Sequence, residues 1–158
     1  MKQKSTLMVI KNWALFLILV SFSMALGSIV AFVAMNFSSE SQNAAFFFWQ
    51  RKFIDSIMSF ATQPGIWLVF IASCLLYACE RKRKYIALLI IAGMVLLIGQ
   101  GLLIPLAHQV SDLAYQHKES AQVAAEFLSK KQTEDILGGI NMLLLIIYAS
   151  IAVFGRKE

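Results

Sequence analysis

Two side-chain amides interrupt long apolar stretches of the sequence, and they are the first candidates for chemistry. Gln100 lies between two glycines, and Asn141 follows a pair of glycines. A polar group inside a membrane-spanning helix is costly, so it usually bonds to a neighbouring helix or lines a functional cavity. We therefore predict that Gln100 and Asn141 either hold helices together or line a site for a solute.

A second candidate is a stripe of small residues. Ser23, Gly27 and Ala31 repeat every four positions, so they share one face of a helix. Small side chains allow two helices in a membrane to approach closely. We predict a helix-packing interface at this stripe, with either another helix of this chain or another protein as its partner.

Residues that could bind metal or perform catalysis are sparse. His108 and Asp112 share a helix face, but two ligands hold a metal only weakly. His117 follows His108 by nine positions, which turn a continuous helix by about 900°, or two and a half turns. His117 would therefore face the side opposite to His108. Cys74 and Cys79 would point about 140° apart on a helix, too far apart to form a disulfide. No phosphate-binding glycine loop or zinc-protease motif is present. We predict no enzyme, and no catalytic, cofactor or metal residues.

The composition indicates a membrane protein. Only 15% of the 158 residues are charged, against roughly 25% in soluble domains. The apolar residues cluster in four blocks, and roughly 20 helical residues cross a hydrocarbon layer about 30 Å thick. We predict an all-α integral membrane four-helix bundle in a single domain, residues 1–158. The predicted spans are about 13–35, 57–79, 85–106 and 136–155, and the outer segments are about 36–56 and 107–135.

Both outer segments have helical periodicity. The first has a polar stripe that includes Lys52 and Asp55, with aromatic residues away from it. In the second, Thr133 is a candidate N-cap for the last span, with Glu134 and Asp135 in its first turn. We predict that both segments form amphipathic helices at the membrane interface.

The basic residues predict the orientation. Nine of the fourteen lysines and arginines lie at the two termini and in the Arg81–Lys84 turn. The positive-inside rule places these three regions in the cytoplasm, and we expect a bacterial inner membrane. The turn is also expected to contact anionic lipid heads. The net charge of +5 does not indicate nucleic acid, because the basic residues do not form one face.

The order of features from about residue 46 onward is similar to that of a known group. A charged segment leads to Gln63-Pro64-Gly65, a basic turn follows, and Ile104-Pro105-Leu106 closes the third span. This layout, over about residues 46–158, resembles small four-helix integral-membrane proteins related to the copper-resistance D proteins. Those families often have a histidine early in helix one, followed by a Trp-Gly pair, whereas Trp13 stands here without either. The resemblance therefore implies the fold and not copper or haem chemistry.

Two hypotheses for the function follow. The first is a non-enzymatic accessory or structural subunit that binds a larger membrane complex or a second copy of itself. The alternative is a small transporter or binder of a hydrophobic or cationic solute, with Gln100 and Asn141 lining the cavity. A metal or redox protein is the third and weakest interpretation.

Overall fold

The computed structural model describes residues 2–37, 44–116 and 125–155, nearly all of them helical. Within these ranges, four helices are long and apolar enough to cross a membrane. The helices are α1 (Lys2–Phe37), α2 (Ala44–Ile57), α3 (Gln63–Cys79), α4 (Arg83–Ile98), α5 (Ile104–Gln116) and α6 (Ala125–Phe154). The predictions of an all-helical fold and a multi-pass membrane protein are thus confirmed by helix length and composition.

A π-helical turn joins α2 to α3, and a second one joins α4 to α5. These turns are Met58–Thr62 and Gly99–Leu103. A proline follows each turn by two residues, Pro64 in the first case and Pro105 in the second. Proline has no N–H and clashes with the carbonyl four residues before it, so a wider turn accommodates it without ending the helix. Each helix therefore continues through its proline.

This continuity changes one predicted helix end, and the predicted bounds of the membrane spans stay predictions. The third membrane helix does not end near Leu106 but runs on through α5 to Gln116. The first outer segment contains α2, which the π-turn makes continuous with α3. The predicted position of α2 and α5 at the membrane surface stays a prediction. Residues 38–43 of the first predicted outer segment and residues 117–124 of the second lie outside the described residues.

The ends of α1 and α6 also differ from the prediction. α1 begins at Lys2, ahead of the predicted span that starts near Trp13, and α6 begins at Ala125, ahead of the predicted helix start near residue 136. Thr133 therefore lies inside α6 and does not cap it. Its hydroxyl donates a hydrogen bond to the carbonyl of Ser129, 3.1 Å away and one turn earlier, a bond typical of threonine within a helix.

The helices form a bundle with two distinct ends. At the turn end, residues 80–82 connect α3 to α4, and at the loop end α1 is followed by α2 and α5 by α6. α1 packs chiefly against α3, α3 against α4, and α4 against α6, whereas α1 and α6 meet over a shorter length. At the loop end α2 packs against α5, which packs against α6. The core side chains, from the turn end to the loop end, are Ala14, Val69, Leu76, Tyr85, Leu88, Ala92 and Tyr148, then Ala25, Ile29, Ile66, Val95 and Leu145, then Ile54, Met58 and Ala107, and last Val110, Ala114 and Phe127.

Charged side chains close the turn end. The Lys11 ammonium of α1 donates to the Glu80 carboxylate, and Lys82 lies 3.3 Å from the same carboxylate. The hydrogen bond from Lys11 lowers the pKa of Glu80 below its usual value. Lys84 donates to the carbonyl of Ala152 at 2.7 Å, near the end of α6. The basic turn thus contacts both terminal helices of the bundle.

Candidate functional site

A buried ion pair joins α2 to α6 at the loop end. Arg51 is fully buried and Glu134 is 1% exposed. The guanidinium meets the carboxylate with two parallel hydrogen bonds, Nη1 to Oε2 and Nη2 to Oε1, each 2.8 Å long. This bidentate geometry is the strongest arrangement available to an arginine and a carboxylate. The pair therefore fixes the position of α2 against α6.

Further hydrogen bonds extend the ion pair to α5. Arg51 donates from Nη2 to the carbonyl of Ala107 at 3.1 Å and from Nε to the hydroxyl of Ser111 at 3.3 Å. Ser111 in turn donates to Oδ1 of Asp55 at 2.7 Å, and the Tyr115 hydroxyl donates to Oδ2 of Asp55. Three helices thus share one network. The loop-end network, as defined here, consists of Arg51, Asp55, Ser111, Tyr115 and Glu134.

The network lies near one edge of the region that the helices can span. Glu134 precedes Phe154 by 20 residues, so it is about 30 Å along the axis from that end of α6. A hydrocarbon layer about 30 Å thick, counted from the turn end, would end near the network. A buried charge costs less there than at the centre of a bilayer.

The chemistry of the network favours a positioning role. Its only cation, the Arg51 guanidinium, bonds to the Glu134 carboxylate, and the Asp55 carboxylate accepts from two hydroxyls. Within the described ranges, no three His, Cys, Asp or Glu side chains are grouped so as to hold a metal ion. The arrangement can hold three helices in register, and its carboxylates are already bonded within the chain.

A small cavity adjoins the network between the two π-turns. Its volume is about 40 Å³, room for two or three water molecules. Its lining residues are Ser28, Ile29, Phe32, Ile54, Ile57, Met58, Thr62, Leu103, Glu134 and Gly138. The hydroxyl of Thr62 donates to that of Ser28 at 2.9 Å, and Ser28 donates to the carbonyl of Ala25 at 2.8 Å. This space is well below the roughly 300 Å³ of a typical ligand pocket.

A larger groove runs between α1 and α6, beside this cavity. Its volume is about 370 Å³. Its lining residues are Ile29, Phe32, Val33, Lys131, Asp135, Gly138, Gly139 and Met142. Ile29, Phe32 and Gly138 also line the small cavity, so one wall separates the two spaces. Lys131 and Asp135 form an ion pair of 3.3 Å at the loop-end side of the groove.

The two predicted amides lie inside the bundle without the contacts that the sequence suggested. Asn141 is fully buried, and neither its nitrogen nor its oxygen has a hydrogen-bond partner among the described residues. In half-buried Gln100, Nε2 also lacks one within the same ranges. A Cβ on Gly99 would lie 3.6 Å from Nδ2 of Asn141, which places this amide beside the second π-turn. Neither amide lines the cavity or the groove described above, and their predicted roles stay predictions.

The predicted small-residue stripe faces away from the bundle. Ser23 and Gly27 are exposed, Ala31 is half-buried, and a Cβ built on Gly27 would meet nothing within 4 Å in the described structure. The face of α1 that packs against α3 instead contains Ser21 and Ala25, both fully buried. Within the described residues, the predicted stripe is therefore unused, and its role as an interface with another protein stays a prediction.

The weaker metal and redox candidates also have defined positions. His108 and Asp112 are both exposed on α5, and His117 lies outside the described residues. Cys74 and Cys79 are half-buried in α3, and both are free thiols. None of the four described residues belongs to the loop-end network.

Sequence analysis missed the residues of the loop-end network. It assigned Glu134 to helix capping and treated α2 as having two faces, one polar and one aromatic. The structure gives α2 a third face, with Arg51 and Ile54 buried against the bundle. A signal was available, because Arg51 with Asp55 and Ser111 with Tyr115 are both spaced i, i+4 and each pair shares one helix face.

Comparisons with known proteins return no match. No protein-family model, curated protein or solved structure matches this chain. The resemblance to the copper-resistance D group stays a prediction.

Proposed function

We propose that this chain is a non-enzymatic integral membrane protein that serves as an accessory or structural subunit of a membrane complex. The observation that carries the proposal is the outer face of α1. Gly27 lies about 160° from Ala25 around the helix axis, opposite the face that packs against α3, and its Cβ position is open. An outward-facing small residue in a membrane helix allows a second helix to approach closely.

The loop-end network supports this role by giving the bundle a fixed shape. A docking face is most effective on a rigid element, since less conformational freedom is lost on binding. α1 is tied to the rest of the bundle at both ends, by Lys11 bonded to Glu80 and by Gln50 Nε2 donating to the carbonyl of Met35 at 3.1 Å. Its outer face is therefore presented in one orientation.

The proposed orientation has both termini and the Arg81–Lys84 turn in the cytoplasm of a bacterial cell, and the bundle in the inner membrane. The concentration of basic residues at the turn end supports it. Arg81 and Arg83 are exposed, so they are available to anionic lipid heads. At the loop end, Trp49 is 64% exposed and Phe53 is 57% exposed, and aromatic side chains are common at the membrane interface.

The first prediction tests the outer face of α1. Gly27→Leu is expected to reduce crosslinking to the partner or to a second copy by about tenfold or more, because close packing at a small residue tolerates no large side chain. The measurement is crosslinking in intact membranes followed by purification through a tag on this chain. A second, differently tagged copy distinguishes self-association from binding of another protein.

The matched control is Gly101→Leu, which adds the same side chain at another exposed glycine with nothing within 4 Å in the described structure. It is expected to leave crosslinking unchanged. The proposal is wrong for this face if Gly27→Leu also leaves crosslinking unchanged, or if the wild-type chain yields only uncrosslinked monomer. The alternative of a small transporter or solute binder stays a prediction.

A further inference from the structure

We propose that the groove between α1 and α6 binds one glycerophospholipid whose head carries a phosphate and a primary ammonium, as in phosphatidylethanolamine. An acyl chain would lie along the apolar part of the groove, and the head would meet Lys131 and Asp135. This inference is independent of the proposed function, because Ile29 and Phe32 in the groove lie on the opposite side of α1 from Gly27.

The groove has the form of a site for an acyl chain. Ile29, Phe32, Val33 and Met142 supply apolar surface, and Gly138 and Gly139 leave the α6 wall without side chains between Asp135 and Met142. A Cβ on either glycine would meet nothing within 4 Å among the described residues. The volume of about 370 Å³ is in the range of ligand pockets. α1 and α6 make few direct contacts, and the groove occupies the space between them.

The charged pair lies at the depth of lipid heads. Lys131 precedes Phe154 by 23 residues, which is about 35 Å along α6 from the turn end. A hydrocarbon layer about 30 Å thick would end just short of it. The lysine side chain is 15% exposed and that of Asp135 is 39% exposed. By the same count Asp135 lies about 29 Å from the turn end, at the edge of that layer. The ion pair is therefore next to the apolar groove and near the boundary between hydrocarbon and lipid heads, with Asp135 its more exposed member.

The signs of the two charges indicate the class of head group. The Lys131 ammonium complements a phosphate, and the Asp135 carboxylate, one turn further, complements an ammonium. A lipid with a phosphate and no cation would meet repulsion from Asp135. A choline head has a cation but no N–H to donate to the carboxylate. A phosphate with a primary ammonium offers each member of the Lys131–Asp135 ion pair an additional partner of opposite charge. This complementarity distinguishes the head from other abundant lipid heads.

The experiment uses the full-length chain in mild detergent and measures thermal unfolding as lipid is added. The lipids are phosphatidylethanolamine, phosphatidylglycerol and phosphatidylcholine with identical acyl chains. Phosphatidylethanolamine is expected to raise the Tm at about tenfold lower concentration than the other two, the effect of one additional charge-assisted hydrogen bond. Native mass spectrometry is expected to show one bound molecule per chain.

Variants separate the head from the acyl chain. Gly139→Leu fills the groove and is expected to abolish the lipid-dependent shift in Tm, while Gly101→Leu keeps it. Asp135→Asn is expected to remove the preference for phosphatidylethanolamine over phosphatidylglycerol. Lys131→Gln is expected to weaken the binding of both lipids by about tenfold.

Three outcomes would overturn the proposal. They are equal stabilisation by all three lipids, an unchanged lipid effect in Gly139→Leu, and a photo-crosslinker at Met142 that captures a protein instead of a lipid. The last result would make the groove a docking site for a partner helix.

Discussion

Glu134→Leu is expected to destabilise the protein by about 3–5 kcal/mol, because the Arg51 guanidinium would remain buried without its carboxylate. Arg51 is fully buried, and two of the four hydrogen bonds that it donates within the described residues go to Glu134. The free energy of unfolding can be measured by titration with a denaturing detergent in mixed micelles. Glu134→Gln should cost less, since the amide oxygen still accepts a hydrogen bond.

The double variant Arg51→Met with Glu134→Leu tests the cause. Removing both members of the buried pair leaves neither of them unpaired, and the Asp55 carboxylate still accepts from the Ser111 and Tyr115 hydroxyls. This variant is therefore expected to recover most of the loss. The matched control is Glu126→Leu, which makes the same change in the same helix at an exposed pair, 3.0 Å from Lys130. An exposed pair contributes about 0–1 kcal/mol. A loss below about 1 kcal/mol in Glu134→Leu, or a double variant as unstable as the single, would contradict the account.

Gly65→Leu is expected to have the second large effect, a loss of about 3 kcal/mol or more from overpacking. A Cβ on Gly65 would lie 3.0 Å from the backbone nitrogen of Ala25 and 3.1 Å from the backbone oxygen of Ser21. Both atoms belong to α1, and a backbone cannot rotate away as a side chain can. A longer side chain must therefore push α1 from α3, its principal neighbour.

Gly27→Leu and Gly101→Leu are the controls, since both positions are open in the described structure. They should unfold at the wild-type denaturant concentration or above it, because leucine favours a helix by up to about 1 kcal/mol relative to glycine. Gly65→Ala should fall between wild type and Gly65→Leu. If Gly65→Leu unfolded at the same denaturant concentration as the two controls, the close packing of α1 against α3 would be contradicted.

The sequence was sufficient for the membrane fold but not for the position of each helix face. Long apolar blocks require helices, because a helix satisfies its own backbone hydrogen bonds in hydrocarbon. Hydrophobicity does not predict which face of α1 packs against the bundle, since lipid and protein interior are equally apolar. The stripe at Ser23 and Gly27 and the face at Ser21 and Ala25 both consist of small residues. Only the tertiary structure distinguishes them.

The loop-end network shows the same limitation for charged residues. Arg51 and Glu134 are 83 positions apart, so no local pattern pairs them. Polar residues near the end of a span are expected at the interface, where they need no partner. Pro105 indicated the end of the third span for a similar reason, because proline usually ends or kinks a helix. The π-turn that accommodates each proline depends on packing against neighbouring helices.

The central claim is that four helices cross a membrane and hold the turn end and the loop end on opposite sides. Cysteine accessibility tests it most directly, in a background in which Cys74 and Cys79 are replaced by alanine. Lys82→Cys places a thiol at the turn end and Lys52→Cys places one at the loop end. A membrane-impermeant maleimide is expected to label Lys52→Cys in intact spheroplasts and Lys82→Cys only in inverted vesicles. Labelling of both positions from the same side would contradict the bundle, and labelling with the two sides exchanged would contradict its orientation.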